Sequence, residues 1–187
     1  MQDYPFVSLD SELALALIDV QEKLFPLTYD HETVGKRLRL LLQAWKRFNL
    51  PLVVTEQYPA GLGSTVPELR SLMEQQQLFG EKLTFSCVAD AGVCALLDAT
   101  GADTWVLAGI ETHVCVFQTA VDLLRAGKQV ILLRDAVSSR RPIDRDSAVE
   151  ELRHLGVRIT TVETLLFELI RKAGTPLFKT IAPMFKS

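Results

Sequence analysis

One short segment carries most of the chemical promise: Gly109-Ile110-Glu111-Thr112-His113-Val114-Cys115. It follows a strongly apolar run and leads into a helical pattern. A cysteine near a helix N-terminus meets the positive end of the helix dipole, which favours a thiolate. The free backbone N–H groups of that turn would stabilise an oxyanion. One segment would thus supply a nucleophile and an oxyanion hole, the two needs of acyl transfer. Asp19 closes an earlier apolar run, and Gln57 and Tyr58 follow another. The remaining residues of these types promise less. Cys87 and Cys94 read as small hydrophobes. The gaps between 87, 94 and 115 exclude a Cys-x-x-Cys redox motif. Cys115 with His113 is too small a set for zinc. His113 is two positions from Cys115, so on a helix the two would not face each other. His31 and His154 read as solvated or capping residues. Gly61-Leu62-Gly63 lacks the third glycine of a phosphate loop. Glu81-Lys82, taken alone, reads as a surface ion pair.

The elements that must position these residues alternate. Residues 13–18 form a buried strand, and residues 31–48 a helix with Val34, Leu38, Leu41, Leu42 and Trp45 on one face. Strands follow at 52–55, 104–108, 129–133 and 157–160, with a weaker segment at 78–80. Helices are expected at 90–100, capped by Asp90, and at 112–126, 144–155 and 164–172. The stretch 56–69 is rich in Gly and Pro and reads as a loop. Apolar strands alternating with helices imply a mostly parallel sheet covered on both faces, an α/β sandwich of Rossmann-like type. In such sheets ligands bind outside the carboxyl ends of the strands, where Asp19, Gln57 and the 109–115 segment fall.

The chain of 187 residues suits one domain, with a core over about 13–170 and an apolar tail at 173–187. Lys and Arg total 20 against 23 Asp and Glu, a net charge of -3. A nucleic-acid binder would want a basic surplus, so no nucleic-acid partner is expected. No apolar stretch approaches the roughly 18 residues of a membrane span. Residues 1–10 do not read as a signal peptide, and three cysteines are an odd number for a disulfide framework. A reducing cytoplasm is the expected address.

These residues resemble the isochorismatase-like, or cysteine hydrolase, superfamily. Three anchors carry the resemblance in order: LIDVQ with Asp19, EKLTFS with Lys82, and AGIETHVCV with Cys115. VVTEQYPAGLGSTVPEL and DAVSSR look closest to the isochorismatase domain-containing subgroup. The resemblance implies a three-layer α/β/α sandwich and a catalytic triad of Asp19, Lys82 and Cys115. It also implies a cis peptide between Ile110 and Glu111, with the Glu111 and Cys115 N–H groups aimed at an oxyanion. Relatives assemble as dimers, tetramers or larger rings, so a homo-oligomer is implied. Nicotinamidases in the superfamily carry an Asp-x-His metal pattern after the second strand; here those positions read Gln57 and Pro59, and no metal or other cofactor is expected. The activity so implied is metal-independent hydrolysis of a small amide-like substrate through an acyl-thioester on Cys115. The alternatives are isochorismatase-type ether hydrolysis with Asp19 as general acid, and a low-turnover member serving in binding or assembly. Phe25, Gln57 and Tyr58 are the candidate substrate contacts.

Overall fold

A computed structural model describes residues 7–73, 77 and 79–186. Strand β1 (Leu13–Ile18) buries all six of its residues. Leu13, Leu15 and Leu17 pack into one core cluster, and Ala14, Ala16 and Ile18 into another. Side chains alternate across a strand, so a strand that is apolar on both faces needs a cover on each. β2 (Leu52–Gln57), β3 (Phe79–Lys82), β4 (Thr104–Ile110), β5 (Gln129–Ser138) and β6 (Arg158–Thr160) complete the sheet. The order is β3-β2-β1-β4-β5-β6, and every pairing is parallel. Helices α1 (His31–Phe48) and α7 (Val162–Ile170) cover one face. Helices α4 (Ala91–Asp98), α5 (Phe117–Arg125) and α6 (Pro142–His154) cover the other. The expected α/β sandwich is therefore the fold.

The apolar stripe read on α1 is buried in full, and Trp45 Nε1 also donates to Pro51 O at 2.9 Å. Asp90 caps α4 by accepting from the Gly92 and Val93 N–H groups. Three readings change. The weak segment at 78–80 belongs to a sixth strand, β3, with Leu78 itself outside the described residues. Its signal is weak because its four residues include Gly80, whose missing side chain lets α4 pack close: a Cβ there would stand 2.9 Å from Val93 Cγ2. The strand expected to stop at Leu133 runs on to Ser138, because its register against β4 slips between the Leu107 and Gly109 pairings. The expected loop at 56–69 holds the end of β2 and two short helices, α2 (Pro59–Leu62) and α3 (Pro67–Arg70), each opened by a proline. The tail folds as α8 (Pro176–Ile181) and a 3-10 turn (Ala182–Lys186). Ile181 is buried, and Phe178 and Phe185 sit 6.3 and 5.3 Å from the Phe167 ring. The tail packs on its own chain.

The strand order reverses between β1 and β4. The first three strands extend to one side and the last three to the other, so the switch point, outside whose carboxyl ends such sheets bind ligands, lies between β1 and β4. The two strands approach closely there. Gly109 has φ +121, and a Cβ on it would lie 2.1 Å from Ile18 O. Only glycine fits both the backbone conformation and the space.

Candidate active site

Asp19 lies one residue beyond β1 with φ 53. Simple alternation would send its side chain to the α1 and α7 face. The left-handed backbone turns it to the opposite face, where Thr55 and Lys82 meet it. Thr55 Oγ1 donates to Asp19 Oδ1 at 2.7 Å, and Lys82 Nζ donates to Asp19 Oδ2 at 2.7 Å. Lys82 ends β3 in register with Gln57, the last residue of β2. Its Nζ also donates to Gln57 Oε1 at 2.7 Å and, at a longer 3.4 Å, to Thr84 O. Glu81, its neighbour, points to the exposed side; the surface ion pair read from Glu81-Lys82 is instead a buried pair between Lys82 and Asp19.

Cys115 completes the group, its thiol close enough to Asp19 and Lys82 for both charges to act on it. It does not sit at the start of an α-helix. Thr112–Val116 form a wide π-type turn, with the Val116 N–H donating to Glu111 O at 3.2 Å, and α5 starts only at Phe117. Such widened turns recur at functional sites. Tethers to the end of β5 and beyond hold this one. Thr112 Oγ1 donates to Ser138 O at 2.9 Å, and Glu111 Oε1 accepts from the Arg140 N–H and Nε at 3.2 and 2.9 Å. The Ile110–Glu111 peptide is cis. His113 turns elsewhere, with Nδ1 3.0 Å from Ser139 Oγ.

Asp19, Lys82 and Cys115 are 0%, 2% and 5% exposed, so their charges act on one another with little water between. Burial by itself would lower the Lys82 ammonium. Asp19, with Cys87 and Cys115 adding, leaves it raised above 10.5. Burial pushes the Cys115 thiol up, Asp19 pushes it further, and Lys82 pulls it back only in part. Burial and the Asp19 charge together favour the protonated thiol. That corrects the expectation of a standing thiolate drawn from the helix dipole: desolvation and the neighbouring carboxylate outweigh it. Burial also pushes Cys87 up to about 11, and its Sγ stands 4.0 Å from Thr55 Oγ1.

The candidate substrate contacts separate. Gln57 is occupied by Lys82 and by Leu83 O, to which its Nε2 donates at 2.9 Å. Phe25 packs in the core, edge-on to His31 at 6.0 Å between ring centres. Tyr58 is 53% exposed. Among the described residues, no group of three or more His, Cys, Asp or Glu side chains is placed to hold a metal ion. Sequence reasoning missed Thr55 and the part played by Gln21. Thr55 had a signal, since it shares a strand face with Gln57 two residues on. Gln21 lies in the LIDVQ anchor, but nothing local shows that its side chain crosses to β2.

Residues 13–164 match the model of the isochorismatase domain. The chain belongs to the isochorismatase family of hydrolases. It is 42% identical over 171 residues to isochorismatase domain-containing protein 1 of Danio rerio, across 90% of this chain and 59% of that protein's length. It is 39% identical over 176 residues to the secreted isochorismatase effector Isc1 of Phytophthora sojae, across 92% of this chain and 83% of the effector. A solved structure from Caenorhabditis elegans, named MAR1 ribonuclease, superposes with a TM-score of 0.90 at 32% identity, over 98% of this chain and 93% of that one.

Proposed function

We propose that this chain hydrolyses a small amide-like molecule through an acyl-thioester on Cys115. The observation that carries the reading is the buried cluster around one carboxylate: Asp19 is bound by the Lys82 ammonium and acts on the nearby Cys115 thiol, with all three side chains buried. A thiol beside a carboxylate hands over its proton as sulfur attacks the carbonyl carbon. The C–S bond forms, and the carbonyl oxygen takes the negative charge, received by the Glu111 and Cys115 N–H groups. Collapse breaks the C–N bond, and Asp19 returns the proton to the departing nitrogen. Water, deprotonated by Asp19, then attacks the thioester and releases the carboxylic acid and the thiol. Lys82 stays an ammonium throughout and offsets the charge passing between Asp19 and sulfur.

The rest of the reading follows the same support. The working unit is one domain over residues 1–187, needing no metal or other cofactor and assembling as a homo-oligomer. The C. elegans neighbour is named a ribonuclease; the net charge of -3 here favours a small molecule over RNA. Free cysteines suit a reducing cytoplasm, although the Phytophthora relative is named secreted. Among the described residues, no helix is long and apolar enough to cross a membrane.

The test is a panel of small primary amides, scored by ammonia release and by the intact mass of a trapped acyl-enzyme. Wild-type protein should release ammonia and gain the acyl mass on Cys115, and Cys115→Ala should do neither. Amide hydrolysis that survives Cys115→Ala overturns the reading. Turnover of a vinyl ether by that variant, with no amide turned over by wild type, moves the assignment to ether hydrolysis.

A further inference from the structure

The last residue of β2 is bound on every side. Gln57 Oε1 accepts from Lys82 Nζ at 2.7 Å, and Gln57 Nε2 donates to Leu83 O at 2.9 Å. The first contact needs the amide oxygen and the second the amide nitrogen, so the side chain has one orientation. Its backbone is fixed as well. The Gln57 N–H donates to Gln21 Oε1 at 2.8 Å, and Gln21 Nε2 donates to Gln57 O at 3.0 Å and to Gly63 O at 2.6 Å. The last β1–β2 pairing is Ile18 with Thr55. Beyond it, the Gln21 side chain takes the place of a neighbouring strand for Gln57.

Lys82 has three ammonium protons and three acceptors: Asp19 Oδ2, Gln57 Oε1 and, more weakly, Thr84 O. Its position beside Asp19 is therefore set jointly by a charged and a neutral oxygen. The neutrality matters. Lys82 already offsets only part of what Asp19 does to the thiol. A second carboxylate on the same ammonium would leave a net negative charge beside a sulfur that must shed its proton.

We infer that Gln57 is a positioning residue, whose amide holds Lys82 against Asp19 without adding charge near Cys115. This deepens the proposed mechanism, and its sulfur arm rests on that reading. Two variants separate position from charge. Gln57→Glu keeps an acceptor oxygen and adds charge; Gln57→Met fills the space and removes the acceptor. The first readout is the 15N signal of the Lys82 ammonium, assigned with Lys82→Met, and the exchange rate of its protons with water. The second is the pH profile of acrylamide addition to Cys115, read by peptide mapping.

Gln57→Met should speed ammonium exchange at least tenfold or erase the signal. Gln57→Glu should keep the signal and move the alkylation profile up by about one pH unit, a tenfold slowing at fixed pH. Wild-type ammonium exchange in Gln57→Met, or an unmoved alkylation profile in Gln57→Glu, overturns the inference. Should Gln57→Met not fold, Gln57→Asn retracts the acceptor by one methylene and gives the same ammonium readout. If wild-type Cys115 never reacts, the acyl-transfer reading fails, and ammonium exchange still decides the place of Gln57.

Discussion

Asp19→Asn preserves the shape of the side chain and removes both its charge and its basicity, with two consequences of opposite sign. The Cys115 thiol is held up by burial and by the Asp19 charge, and is drawn down by Lys82. Without the carboxylate, Lys82 is opposed chiefly by burial, and relief of about two pH units multiplies the thiolate at neutral pH about a hundredfold. A less basic sulfur is also a poorer nucleophile, with a Brønsted coefficient of about 0.4–0.5, so the net gain in alkylation is about tenfold. Hydrolysis moves the other way. In the proposed mechanism the acceptor for the thiol proton and the donor for the leaving nitrogen are the same lost group, a deficit of about 10²–10⁴. The variant is also less stable. The Lys82–Asp19 pair spans 2.7 Å with both side chains fully buried. Stranding one partner of such a pair costs about 3–5 kcal/mol, or about 10 °C of Tm in a chain of this size. Both rates would be measured on the same preparation, well below its Tm: iodoacetamide labelling of Cys115 by peptide mapping, and ammonia release from an amide. Faster labelling with lost turnover is the expected pair. Labelling that slows, or matches wild type, would refute the idea that Asp19 holds the proton on sulfur.

Cys115, Cys87 and Lys82 all have raised folded values, Cys87 reaching about 11. Above pH 9 the unfolded chain therefore sheds protons that the native chain retains, and stability falls by about 1.4 kcal/mol per pH unit for each such thiol. Below that range these groups leave stability flat; a urea midpoint that rises between pH 9 and 10 contradicts this. Gly109→Ala would press a Cβ to 2.1 Å from Ile18 O and should cost about 3 kcal/mol or more, seen as a lower Tm or as insoluble protein. Cys87 is wholly buried and should stay unlabelled by iodoacetamide in the native protein while reacting once urea unfolds it.

The large apolar elements were legible because burial leaves a periodic trace. β1, β4 and α1 are long, and their alternation or stripe is unbroken. Asp19 and Cys115 could be placed at strand ends for the same reason. What sequence concealed depends on contacts between distant segments. β3 has four residues and draws its face from Gly80 and α4. The extension of β5 past Leu133 needs a register slip against β4, which no local pattern announces. The site was legible as residue types but not as a charge state. A cysteine ahead of a helix reads as a thiolate until its burial and its distance from a carboxylate are known. Gln57 reads as a free polar group at a pocket until Lys82, 25 positions along the chain, is seen holding it.

The way the π-type turn is held also sets a timetable for the chain as it is made. Cys115 is synthesised before Ser138 and Arg140, the two residues that tether Thr112 and Glu111. On a ribosome the sulfur leaves the tunnel while β4 still lacks its neighbour on one side. Until β5 docks, the turn that aims the sulfur has nothing to lean on. For the 25 residues that separate Cys115 from Arg140, the nascent chain would carry this cysteine without the setting that positions it, and that setting would form only as the second half of the sheet closes.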